Sequence, residues 1–268
     1  MRSVSPLRPG ATQLLAHIDA ALEATYRTPE AELGNKSDPL DEAIYIILSF
    51  QTDLARFRST WSRLRAAYPS WNALERARAL DVARTIRDSG LHRQKTRTIR
   101  RLLAEVRKLA GALTLNFLRA MSDEDAERLL TGLPGLWLKG ARCILLYSLR
   151  RDVLPVDSNT FRILKRTGVL RQSAIYRRRS LHDAIQAAVP APRRRTLHIN
   201  LVVHGQRTCL PRSPRCEECP LSPACPRIGL SSGSGGRVPV RLATPVGARA
   251  RRRRDRVAHT GASRRRGT

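Results

Sequence analysis

Apolar residues recur at three- and four-residue intervals along most of the chain up to about residue 205, the period of a helix with one buried face. Leu14, Leu15, Ile18, Ala21 and Leu22 form such a stripe and predict a helix over 12–26. Ser37-Asp38-Pro39 combines a capping side chain with a proline for the first turn, so a helix is expected from there to about Ser49. The same pattern predicts helices over 53–67, 76–89, 94–110, 115–121, 123–131, 139–149, 160–167, 180–188 and 193–204. No stretch alternates with the period of a strand, so the fold class is all-α.

The pattern stops near residue 229. Ser231-Ser232-Gly233-Ser234-Gly235-Gly236 has the composition of a flexible linker. Residues 229–268 carry eleven arginines against the one acidic residue Asp255, and this segment is expected to be a disordered basic tail. The formal charge of the whole chain is +28, and the part before the tail keeps +18 of it. A body that basic is suited to a polyanion, most simply nucleic acid. Aromatic residues make up only 4%, which favours a groove or backbone reader over a protein that stacks single-stranded bases. The opening residues hold charges and prolines without a following apolar run, and no apolar run reaches membrane length. Neither a secretory leader nor a membrane span is expected.

Of five cysteines, Cys143 stands alone and four crowd together as Cys209-x6-Cys216-x2-Cys219-x5-Cys225. In a reducing compartment such a cluster points to metal ligation rather than disulfides. Thiolates suit zinc or an iron–sulfur cluster, and five interspersed prolines from Pro211 to Pro226 stiffen the loop. Only one C-x2-C pair is present, where zinc ribbons use two; the spacing favours iron–sulfur and leaves zinc as the alternative.

Three further motifs precede the cysteines. His204-Gly205-Gln206-Arg207-Thr208-Cys209, together with the cysteine spacing, resembles the C-terminus of the endonuclease III family of helix-hairpin-helix DNA glycosylases. Leu133-Pro134-Gly135-Leu136-Trp137-Leu138-Lys139-Gly140-Ala141 resembles that family's hairpin, LPGVGRKTA. Val156-Asp157-Ser158-Asn159-Thr160-Phe161-Arg162 resembles its VDTHIFR, at the family's separation from the lysine. The resemblance implies a two-lobed fold. A six-helix barrel with the hairpin would span 32–151, and a second lobe would combine 1–31 with 152–228. It also implies a [4Fe–4S] cluster on Cys209, Cys216, Cys219 and Cys225, and a structural role for that cluster.

The chemistry fits those residues. Breaking the bond between a base and deoxyribose C1′ builds positive charge on the sugar, which a carboxylate such as Asp157 stabilises. A lysine amine such as Lys139 can attack C1′ and form a Schiff base, from which β-elimination cuts the strand. A neutral amine is required, so burial and local positive charge are expected to lower the pKa of Lys139. Asp157 is also placed to cap the following helix.

The target nucleotide must leave the duplex, and something must fill its place. Leu48-Ser49-Phe50-Gln51-Thr52-Asp53 resembles the family's LSAQATD, and Ser89-Gly90-Leu91-His92-x-x-Lys95 its IGLYxxKA loop. The resemblance makes Gln51 and Leu91 the wedge residues and puts His92 at the DNA. It likewise puts Gly135, Trp137 and Gly140 of the hairpin against a phosphate. Trp137 replaces the hairpin's second glycine and is expected to restrict the turn and pack into the core. Leu138-Lys139 is also similar to the GLGLKS of plant 5-methylcytosine glycosylases. Ile46 occupies the position of the glutamate used by adenine mismatch glycosylases, which disfavours adenine. The expected activity is removal of an oxidised pyrimidine with cleavage of the abasic site. A monofunctional mismatch or modified-pyrimidine glycosylase, or a non-catalytic iron–sulfur DNA binder, is the alternative. The expected partner is double-stranded DNA holding a damaged base or abasic site, bound by a monomer, in the bacterial cytoplasm or another intracellular compartment with DNA.

Overall fold

A computed structural model describes residues 5–29 and 33–230. The expected basic tail lies, from residue 231 onward, outside the described residues. The described residues are helical without strands; one isolated bridge joins Leu7 and Leu170. None of the helices is long and apolar enough to cross a membrane.

Helices α1 (Ala11–Tyr26), α2 (Pro39–Ser49) and α3 (Leu54–Ala67) follow the sequence pattern closely. Asp38 caps α2 by accepting from the Leu40 and Asp41 N–H groups, and Asp53 caps α3 through Arg56 N–H. Residues 71–89 form three short elements, not the single helix expected over 76–89. These are α4 (Trp71–Arg76), α5 (Ala79–Thr85) and a 3-10 turn at Arg87–Ser89. Ser70 caps α4 through Ala73 N–H, and Ala77 is extended at ψ 151, so the backbone turns there. Next come α6 (His92–Ala110), a 3-10 turn at Asn116–Ala120 and α7 (Asp123–Gly132). The chain finishes with α8 (Leu138–Tyr147), α9 (Ser158–Arg166), α10 (Arg179–Ala187) and α11 (Ala191–Arg207).

Two apolar clusters organise these helices. One gathers residues between Leu33 and Val153 with Ile199, Val202 and Val203. The other joins Leu15, Ile18 and Leu22 of α1 to residues between Leu154 and Val189, with Leu197, Leu201 and Leu221. Helix α2 is apolar nearly all round, as expected of a central helix: every residue from Ala43 to Leu48 is buried. Helix α11 presents apolar side chains to both clusters. A buried ion network ties α7, α8 and α10: Arg142 Nε meets Glu127 Oε2 at 2.7 Å and also reaches Asp183, while Arg179 binds the other oxygen of Glu127. The pair is enclosed and multiply hydrogen-bonded, so loss of one member is expected to be far costlier than loss of a surface bridge.

Candidate active site and cysteine pocket

The hairpin between α7 and α8 turns on Gly135. Its φ of 80° lies where side chains are strained, and a Cβ there would stand 2.4 Å from Thr98 Cγ2 of α6. Leu133 and Leu136 anchor the turn in the core. Trp137 corrects the sequence expectation. It is extended (φ −112°, ψ 173°), a conformation any residue adopts, and it does not restrict the turn. Extended backbone throws successive side chains to opposite sides, so buried Leu136 leaves Trp137 pointing outward, 76% exposed. The indole stands beside the first turn of α8, whose N-cap has no side-chain hydrogen bond. A Cβ at Gly140 would make ordinary contacts at 3.5 Å with Ile46 and Leu136, so no tight packing demands glycine there.

Lys139 sits half-buried in that first turn. Burial opposes its charge, but Cys143, Asp157, Tyr176 and Glu42 outweigh burial and raise its pKa above the ordinary lysine value. This reverses the expected lowering: the amine is surrounded by acidic groups, not cations. Burial pushes the Cys143 thiol up to about 11 and the Tyr176 phenol up to about 12, so neither is ionised at neutral pH. Asp157 is the anion that faces the amine there. Cys143 stands one helical turn along α8 from Lys139.

Asp157 caps α9. Its Oδ1 accepts from Thr160 N–H at 2.7 Å and its Oδ2 from Asn159 Nδ2 at 2.8 Å. Burial raises its pKa, but His198, these hydrogen bonds and Lys139 bring it below the usual carboxylate value. His198 is 2% exposed and lowered to about 4, chiefly by burial, so the imidazole is neutral at pH 7. The site therefore holds an ammonium and a carboxylate that act on each other through space, beside a neutral imidazole.

Asn159 is in turn held from the cysteine loop. Arg162 Nη2 donates to Asn159 Oδ1 at 2.9 Å, to Gly205 O at 2.8 Å and to Cys209 O at 2.9 Å. A Cβ at Gly205 would lie 2.5 Å from Asn159 Cβ, which explains the glycine after His204. Residue-by-residue reading weighed only Asp157 in this segment. Asn159 and Arg162 lay inside the same motif, three positions apart on one helix face, a spacing that signalled the pair.

Cys209, Cys216, Cys219 and Cys225 are free thiols lining one small pocket of about 20 Å³, together with Ile163, Leu221 and Leu230. Arg166 Nη1 donates to Cys209 Sγ at 3.3 Å, and His204 Nε2 stands 3.6 Å from Cys219 Sγ. Burial, outweighing other effects, raises Cys219 to about 11. Among the described residues no three His, Cys, Asp or Glu side chains converge on one metal-ion position.

Gln51 and Leu91 are exposed at loop tips, and both are left-handed, with φ 51° and φ 47°. His92 is half-buried at the start of α6. Helix α2 packs against both α6 and α8, so the two loops and the hairpin are built on neighbouring helices.

The family described as HhH-GPD superfamily base excision DNA repair protein matches residues 44–186, and the chain belongs to it. Endonuclease III of Thermotoga maritima is 28% identical over 193 residues, covering 71% of this chain and 84% of that protein. The Arabidopsis thaliana DNA glycosylase/AP lyase ROS1 is 27% identical over 191 residues, covering 65% of this chain. The chain spans 62% of the length of another Arabidopsis thaliana relative and 13% of ROS1. A trapped covalent intermediate of endonuclease III with DNA superposes with a TM-score of 0.69 at 23% identity, covering 80% of this chain and 95% of that one. A non-covalent endonuclease III–DNA complex gives 0.69 at 21%, covering 80% and 94%. These superpositions show the all-α fold of endonuclease III-like glycosylases.

Proposed function

We propose that this chain is a DNA glycosylase with abasic-site lyase activity, acting on a modified, most simply oxidised, pyrimidine in duplex DNA. The observation that carries the reading is that Lys139, on the first turn of α8, and Asp157, capping α9, lie near enough to influence each other's charge. In this reading the Lys139 ammonium first loses its proton to solvent, and the Asp157 carboxylate stays ionised to support the positive charge that builds on the sugar. The amine attacks C1′ as the bond from C1′ to the base breaks, and the departing base takes up a proton. The sugar ring opens to an imine on Lys139. Loss of a C2′ proton then expels the 3′ phosphate, and water releases the lysine.

Gln51 and Leu91 fill the vacated stack, and the exposed Trp137 lies against the DNA backbone or groove beside the α8 N-terminus. The partner is double-stranded DNA with a damaged base or abasic site, met by one copy of the chain. The four cysteines would hold a [4Fe–4S] cluster, since such a cluster takes one thiolate per iron and its ligands surround a volume. Its contribution is to brace the loop whose carbonyls orient Arg162. Borohydride trapping tests the reading: a covalent complex with abasic duplex DNA is expected from the wild-type chain and absent from Lys139→Ala. A complex of equal yield from the variant would defeat it.

A further inference from the structure

Lys95 is 3% exposed and has no carboxylate beside it. All three hydrogens of its ammonium are spent on neutral oxygens: Leu48 O at 2.8 Å, Thr52 Oγ1 at 2.7 Å and Ser89 O at 2.6 Å. Thr52 Oγ1 also donates to Ser89 O. A buried cation without a counter-ion is a poor device for stability alone. Burial shows its cost, lowering the pKa of Lys95 to about 8.

The three acceptors lie on two separate segments, one at the end of α2 and just beyond it, the other just before α6. Leu48 and Thr52 flank Gln51; Ser89 stands two residues before Leu91. Gln51 and Leu91 are the two exposed residues held left-handed at these tips. Gly90 between Ser89 and Leu91 has φ 64° and ψ 158°, a conformation open essentially to glycine. Strained backbone of this kind persists only where its surroundings hold it. Lys95 rises from the first turn of α6, directly after the second loop, and its side chain reaches back across to the end of α2.

We propose that Lys95 and Thr52 form a clip that joins the two wedge loops into one rigid unit, so that Gln51 and Leu91 enter the DNA stack together. Lys95 is thus a positioning residue that touches neither DNA nor sugar. This rests on the proposed reading of Gln51 and Leu91 as wedges.

The test uses a duplex with a tetrahydrofuran abasic analogue opposite 2-aminopurine, whose fluorescence rises when the stack is invaded, without any bond being cut. The wild-type chain is expected to raise the signal. Lys95→Met is expected to need about tenfold more protein for the same signal, the loss of hydrogen bonds to a charged group. Thr52→Val should weaken it in the same direction and Thr52→Ser should preserve it, which keeps the test alive if Lys95→Met does not fold. The clip further predicts that Gln51→Ala and Leu91→Ala are non-additive in the wild-type background and additive in Lys95→Met. A wild-type signal retained unchanged by both Lys95→Met and Thr52→Val overturns the clip. A wild-type chain with no signal, yet able to be trapped on abasic DNA, overturns the wedge reading and the clip with it while leaving the catalytic reading standing.

Discussion

Asn159→Ala isolates one link between the cysteine loop and the reaction. Asn159 gives Asp157 Oδ2 its hydrogen bond of 2.8 Å, while Oδ1 keeps its bond from Thr160 N–H, so the cap and the helix survive the change. A hydrogen bond to a charged group is worth about 1.5–3 kcal/mol. If it is fully expressed as Asp157 supports the developing positive charge, excision slows about 10- to 150-fold. The same donor helps hold the Asp157 pKa down against burial. Its loss raises that pKa, so the acid limb of the pH–rate profile moves to higher pH. Single-turnover excision measured from pH 4 upward, with binding measured separately on an uncleavable duplex, reads both effects. Excision within twofold of wild type and an unmoved acid limb would refute the argument that Asn159 orients and charges Asp157.

Three other outcomes follow from the same geometry. Trp137→Ala removes an indole that is 76% exposed, so stability should change by under about 0.5 kcal/mol in a melt. Titration with duplex DNA should nevertheless show weaker binding, and equal affinity would remove Trp137 from the interface. Glu42 is raised by burial from 4.5 to about 7, so the unfolded chain loses a proton that the folded chain keeps as pH climbs through that interval. Stability falls across the interval, and Glu42→Gln should spare up to ~3 kcal/mol by pH 8 with little difference at pH 4.5; denaturation that shows no such divergence contradicts the assignment. Cys219→Ser should yield protein lacking the equal amounts of iron and sulfide expected of wild type, with a lower Tm, whereas an unchanged iron and sulfide content would exclude Cys219 as a ligand.

Much of this arrangement is legible before any coordinates. Helix starts at Asp38 and Asp157 follow from capping chemistry, and the structure gives each the expected hydrogen bond. The apolar spacing over 76–89 suits one helix, but the extended Ala77 delays its start to Ala79 and Ile86, at φ −102° and ψ 16°, ends it at Thr85. Trp137 was misplaced because hydrophobicity was allowed to decide; backbone alternation after buried Leu136 decides instead. The Lys139 pKa was mistaken because the net charge of +28 says nothing of the few side chains near one amine. Glu42 on α2 reaches Lys139 only through tertiary packing, as Lys95 reaches Leu48, Thr52 and Ser89, whereas Cys143 stands one turn along the same helix as Lys139.

The central claim is that Lys139 becomes covalently joined to the sugar while Asp157 supports the charge. The direct measurement is mass spectrometry of the borohydride-reduced complex with an abasic duplex, followed by peptide mapping of the adduct. The account predicts one adduct, on Lys139, lost in Lys139→Ala and much reduced in Asp157→Asn. An adduct on another amine, or no adduct while a damaged base is still released, would contradict it.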